Sequence, residues 1–434
     1  MMKEVNIYIK NFCEFVFKLM LFLAVFDGIR ARTPIADVIT IFKEISTFTL
    51  LAIILLTYTS MAQKKVLYFS NVFLIIYLVV VGTVVILFND VSRSVLPSLN
   101  KKDLPTPFAM HFKNIESFVI VFVLLHYEHI TGRTIRKLMD YFVYLCIGYV
   151  LFTLLIYFKF DSIAFFQAPW YGRISIGYPT SDAQILSFAL AYLVFGKSHF
   201  SSAIRVIFIV ILIVGIVMNA TATGIISIGL IFGSYLLYYI FSGKIMSVFT
   251  VKSLVYVSIF ILVIFAGKQV LENLSDKMSN YGALLETKIG FVTSKLNSSI
   301  FGSNASTTDM EIDFSEKLRK TQVEKTFYFN KDFASLALGG PISLGTLIEN
   351  ENYFLIRSYG YVGFLLYYLW LAMLFYLGIR HLKDEYGRLL IIAIGILVVT
   401  NSAIATTYLF GVAVSFGLFV SYYYHRDKKA VFSV

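Results

Sequence analysis

The chain of 434 residues is 58% hydrophobic and 17% aromatic, with only 15% charged residues and a mean hydropathy of +0.77. That is more apolar surface than one water-soluble core can hide, which excludes an ordinary soluble enzyme and places the chain in a bilayer. The formal charge of +11 needs no nucleic-acid partner, because basic cytoplasmic loops held against anionic lipid account for it.

A spanning helix needs about 20 mostly apolar residues. About twelve such segments follow one another: near 11–27, 37–60, 66–89, 108–128, 139–160, 183–196, 204–219, 222–242, 251–267, 352–378, 388–402 and 405–424. A closed β-barrel would alternate apolar and polar residues over about ten positions, whereas these runs are apolar all round. The first opens with Lys3, carries Glu14 and Lys18 and lacks a small-residue cleavage site before Asp27, so it reads as an anchor helix and not a removed signal. The second and fourth carry ionisable residues at their edges: Lys43 with Glu44, and Lys113 with Glu116 beside His111. Such groups usually face a bundle interior and pair there. Helix-packing ion pairs explain the lysines equally well, and His111 reads as an interfacial residue. Cys13 and Cys146 fall in helices with no partner spacing, which argues neither a disulfide nor a metal.

With a cytoplasmic N-terminus, every inner loop is basic: Lys3 and Lys10, Lys64 and Lys65, Arg133 to Lys137, Lys197 and Arg205, Lys244 and Lys252, Arg380 to Arg388, and Arg426 to Lys429. The opposite side then holds two modest loops, about 90–107 and 159–182, and the longest one, 268–351. Within the last, Val270, Leu274, Met278, Tyr281, Leu285, Ile289, Val292 and Leu296 recur at helical spacing, a stripe suited to the interface. A break at 297–309, "NSSIFGSNASTTD", and a second helical region from Phe314 to Leu338 lead to the turn "LGGPISLG". Arg173, Arg319 and Arg357 all fall on this side. A guanidinium offers a planar fork to phosphate oxygens and keeps its charge, so these arginines suit a pyrophosphate head group. Snorkelling or ion pairing is the plainer account of any one of them. No zinc spacing, P-loop or G-x-S-x-G elbow is found.

Four stretches carry a family resemblance: "FDGIRARTPIADVITIFKEI", "GRISIGYPTSDAQ", "LRKTQVEKTFYFNKDFASLALGGP" and "ENENYFLIRSYGYVGF". In order and spacing they resemble the superfamily of O-antigen ligases and Wzy-type O-antigen or capsule polysaccharide polymerases, although each alone is weak. The resemblance implies an all-α polytopic membrane protein, GT-C-like, of about twelve transmembrane helices. Residues 1–267 would form nine of them, 268–351 a large, mostly helical external loop, and 352–434 the last three with a basic cytoplasmic tail.

The resemblance also implies an activity in the bacterial inner membrane, with both termini cytoplasmic. A glycan on undecaprenyl pyrophosphate passes to a hydroxyl of the next lipid-linked repeat unit, with a chain-length regulator as an additional partner and no metal or cofactor. Arg173, Arg319 and Arg357 would bind pyrophosphate, Glu349 or in reserve Glu351 would take the acceptor proton, and Lys43, Lys113, Asn350 and Asn352 would support them. Two features depart from the pattern. Ligases of this superfamily carry a His where this chain has Glu349 to Asn352, which favours polymerase over ligase. "NATATGIISIG" lacks a Ser-Arg often found there. Acidic residues at a helix entry also favour the N-terminal dipole without any catalytic role. A lipid-linked oligosaccharide flippase or transporter stays open too, although no paired interrupted helices are visible in the sequence.

Overall fold

The computed structural model describes residues 2–28, 36–57, 65–88, 105–159, 175–241, 290, 333–339, 351–401 and 409–426. The candidate span 251–267 and the apolar stripe 270–296, all but 290 of it, lie outside these residues. Every regular element among the described residues is a helix, which is the one open-chain structure that satisfies its own backbone in lipid. In order they are α1 (Met2–Val25), α2 (Ala36–Thr57), α3 (Lys65–Phe88), α4 (Pro105–Leu125), α5 (Tyr127–Thr131), α6 (Ile135–Lys159) and α7 (Pro179–Phe195). Then follow α8 (Ser202–Met218), α9 (Ala222–Phe241), α10 (Phe333–Leu338), α11 (Glu351–Arg380), α12 (Glu385–Asn401) and α13 (Phe410–Tyr424). Among the described residues, five helical segments are long and apolar enough to cross a membrane: Val38–Leu56, Leu67–Val84, Ile135–Ile156, Ala222–Ile240 and Glu351–Arg380.

The layering follows from which helices are apolar on all sides and which on one. α13 is buried along its whole length and packs on α1, α4, α7 and α12; α7 is nearly as enclosed. These two form the centre. α2, α3, α9 and α11 lie outside, and their outward faces are apolar: Leu56 is 86% exposed, Leu369 and Tyr376 63%. Such faces match acyl chains and would be costly in water. Polar side chains inside are satisfied locally. Ser187, Ser415, Thr153 and Thr400 each donate to the carbonyl four residues back, at 2.7 to 2.9 Å. Others bridge helices, as Asn71 Nδ2 does to the Phe118 carbonyl at 3.2 Å and Ser421 Oγ to the Leu124 carbonyl at 2.7 Å.

The helix ends sort into two faces. At one, the basic connections are fastened by acids. Glu385, buried, accepts from Tyr422 Oη at 3.0 Å and pairs with Arg136 at 3.4 Å and Lys197 at 3.7 Å. Asp140 takes Tyr192 Oη at 3.0 Å and lies 2.5 Å from His199 Nδ1. Glu14 holds Lys18 and Arg133, and Glu128 caps the N–H of Ile135 at 2.9 Å. Several cations assigned above to lipid contact therefore also brace the bundle. The replacement Glu385→Ala is expected to lower stability by about 3 kcal/mol, because it strands Arg136 and the Tyr422 hydroxyl. Lys197→Ala, at a side chain 76% exposed, should leave the melting temperature in detergent unchanged.

Candidate functional site

The opposite face holds the placed candidate residues in three adjoining groups. The first begins where α1 ends. The Lys43 ammonium lies 2.7 Å from Asp27 Oδ1, both buried, and 4.5 Å from the centre of the Phe410 ring. Lys43 thus meets an acid sixteen positions away and not the adjacent Glu44, because consecutive helical side chains point about 100° apart. One turn on, Thr47 Oγ1 donates to Glu116 Oε1 at 3.3 Å, which brings a second buried carboxylate from α4 toward the same ammonium.

The second group continues from Asp27 into Gly28. Gly28 crosses Gly177 backbone to backbone: a Cβ on Gly177 would lie 2.6 Å from the Gly28 Cα and 2.5 Å from Asp182 Oδ2. Only glycine fits either side of that crossing. Asp182, buried near the start of α7, accepts from Tyr149 Oη at 2.5 Å and Ser175 Oγ at 3.1 Å, while the Gly177 N–H donates to Ser175 Oγ at 3.2 Å. Pro179, at the first helical position, starts α7 because its ring presets φ and its missing N–H would have had no helical partner. The stretch "SIGYPTSD" is in this way clamped to "FDG".

The third group is a break in α11. The sequence reads 352–378 as one span, but Gly360 has φ 66° and ψ −175°, which ends one helix and starts another. The arm 361–380 is about 30 Å long and spans a hydrocarbon core; 351–359 is about 14 Å and does not. Tyr368 Oη nevertheless donates to Asn352 Oδ1. These residues stand eight positions to either side of Gly360, about 12 Å along each arm, so the arms fold back at an acute angle. The elbow is pinned from outside. A Cβ on Gly360 would overlap the Ala337 carbonyl, and one on Gly339, at φ 101°, would overlap the Ser358 carbonyl. α10 and its terminal glycine therefore press directly on the break.

Around the elbow, His111 is buried within the bundle. Its ring occupies the space a side chain on Gly82 would fill, and Nδ1 lies 3.1 Å from Tyr359 Oη. Tyr77 Oη donates to the Tyr359 carbonyl at 3.4 Å. Glu351 and Arg357, on the short arm, are both buried. His111 and Glu116 are separated by about 7.5 Å of rise on α4, which joins this group to the first.

Glu351, Asn352, Arg357 and Lys43 are thus gathered at one face of the bundle. Arg173, Arg319, Glu349 and Asn350 lie outside the described residues, as does the side chain of Lys113. Sequence reasoning missed Asp27, Asp182, Tyr149, Tyr359, Tyr368 and Asn401. The first two were visible as the acids of "FDG" and "TSD"; the tyrosines and Asn401 had no signal among so many similar residues. No protein-family model matches the chain, and no curated protein matches it.

Two outcomes follow. Lys43→Met leaves two buried carboxylates without their ammonium and should cost about 3–5 kcal/mol, read by unfolding in detergent; Lys43→Met with Asp27→Leu should recover at least half. Cysteines at Tyr353 and Leu369, with Cys13 and Cys146 replaced by serine, should be joined by a short bismaleimide. A continuous helix would hold them about 24 Å apart and prevent it.

Proposed function

We propose that the chain is a membrane glycosyltransferase that polymerises undecaprenyl-pyrophosphate-linked repeat units into O-antigen or capsular polysaccharide. It works on the outer face of a bacterial inner membrane, as a GT-C-like bundle of about twelve spans with both termini cytoplasmic. One observation carries the reading: the stretches that bear the resemblance meet. "FDG" touches "SIGYPTSD" through Gly28 and Gly177, and the "LALG" end of the long loop touches "SYG" through Gly339 and Gly360. Charge supports it as well, since buried acids and cations gather at the face away from the basic connections.

In this reading the acceptor hydroxyl oxygen attacks the anomeric carbon of the donor. The bond from that carbon to the phosphate oxygen breaks, its electron pair leaves with the pyrophosphate, and the hydroxyl proton passes to the Glu349 carboxylate. Charge grows on the departing pyrophosphate, and fixed arginines in a site poor in water stabilise it. Arg173 precedes Ser175 by two positions in the sequence, next to the stretch that forms the clamp around Asp182. Arg319 and Arg357 complete the set. The donor supplies its own leaving group, so the step requires no nucleotide or metal.

A second reading, a lipid-linked oligosaccharide transporter, is favoured by one feature, the broken α11, since discontinuous helices build many transport sites. Purified protein in liposomes with lipid-pyrophosphate repeat units separates the two. Polymerisation gives a product ladder, reduced at least 100-fold in Arg173→Ala and Arg319→Ala and abolished in Glu349→Gln, with melting temperatures kept. Translocation of intact lipid-linked sugar without a ladder overturns the polymerase reading, and a ladder that ends in transfer to lipid A-core points to a ligase.

A further inference from the structure

The start of α11 is held more firmly than a helix entry requires. Glu351 is fully buried and Asn401, the last residue of α12, almost so. Tyr368 Oη, on the spanning arm, donates to Asn352 Oδ1 on the short arm. Asn401 Nδ2 donates to the neighbouring Tyr367 Oη at 3.2 Å, the Asn401 side chain also hydrogen-bonds Tyr368, and the Glu351 carboxylate acts through space on the Tyr368 phenol. Three helical pieces, the two arms of α11 and the end of α12, therefore close on one polar cluster surrounded by apolar side chains.

A carboxylate that takes a proton from a sugar hydroxyl has to meet that hydroxyl within about 3 Å. Glu351 is enclosed by protein. Cross-helix polar contacts in lipid are individually modest, so it takes several together to hold a nine-residue arm that is too short to be stable by itself.

We propose that Asn352, Tyr368 and Asn401 form a partly buried latch that holds the short arm of α11 folded on the longer arm, and that Glu351 sits beside this latch as a positioning residue, not as the base. The latch sets where the residues just before Glu351, Glu349 among them, and Arg357 after it are presented. The inference rests on the polymerase reading for its kinetic consequence; its structural content does not.

The test uses the full chain in liposomes, with ladder kinetics and the cross-link between positions 353 and 369 as separate readouts. Glu351→Gln keeps the shape of the side chain and one acceptor oxygen, so it should keep kcat within about threefold and leave the acid limb of the pH profile where it is. Glu351→Ala and Tyr368→Phe should lower kcat about tenfold with donor KM within twofold, and reduce the cross-linking yield severalfold. An inactive Glu351→Gln enzyme that folds and cross-links normally overturns the proposal and makes Glu351 the base. Wild-type cross-linking in both Tyr368→Phe and Asn401→Ala overturns the latch. If the wild-type protein forms no ladder, the polymerase reading fails, and the cross-linking of Tyr368→Phe still decides the latch.

Discussion

Lipid solvates neither a charge nor a peptide group, and that constraint decides where the polar side chains of this bundle sit. The Lys43–Asp27 pair shows it most plainly. An ammonium and a carboxylate 2.7 Å apart, walled by Phe410, tie the end of α1 to the start of α2. Breaking such a pair by removing one partner leaves an uncompensated charge inside the bundle, which costs more than the intact pair contributes. The pair therefore acts mainly to specify which helix ends meet. Gly28 follows Asp27 directly, so fixing the pair also fixes the crossing with Gly177 and, through it, the beginning of α7.

The two faces of the bundle divide their charges differently. At the basic face, acids are each shared among several partners, as Glu385 is among Arg136, Lys197 and Tyr422, of which Lys197 reaches solvent. The exposed contact of Lys197 is tolerant, because water and lipid head groups can replace it, whereas the enclosed ones of Arg136 and Tyr422 are not. At the opposite face the groups are enclosed, and each has partners of fixed geometry: Asp182 with Tyr149 and Ser175, Glu116 with Thr47. Enclosure raises the consequence of any change and makes this face the better place for ionic chemistry.

Much of the helix pattern was legible in the sequence, for a simple reason. Apolar runs such as 37–60 and 66–89 have no alternative in lipid, and α2 and α3 occupy 36–57 and 65–88. What was not legible depends on residues far apart in the chain. Gly360 and Gly363 look alike in "SYGYVG", yet Gly363 merely makes room for the Tyr359 side chain, while Gly360 breaks the helix. The difference lies in Gly339, about twenty residues earlier, whose backbone presses on the break. The setting of His111 is hidden in the same way: the space that receives its ring is left by Gly82 on another helix. Of the residues the sequence singled out, Glu351, Arg357 and Lys43 lie on one face of the bundle, and the sequence could not foresee that Lys43 would choose Asp27 over Glu44.

A break inside a span also has consequences for the loop that precedes it. Ending one helix at Tyr359 and starting another at Tyr361 leaves carbonyls of the first arm and N–H groups of the second outside the regular ladder. In lipid each such group must find a partner, and Tyr77 supplies one to the Tyr359 carbonyl. α10 covers the same place, backbone against backbone, at a distance that only glycine allows. α10 is therefore part of what makes the break tolerable. Pulling α10 away would uncover the elbow's backbone, so the position of the loop and the fold of α11 are coupled even though eleven residues of chain, 340–350, separate them. That coupling requires no ligand and no moving domain, since it follows from two glycines and the inability of lipid to hydrogen-bond.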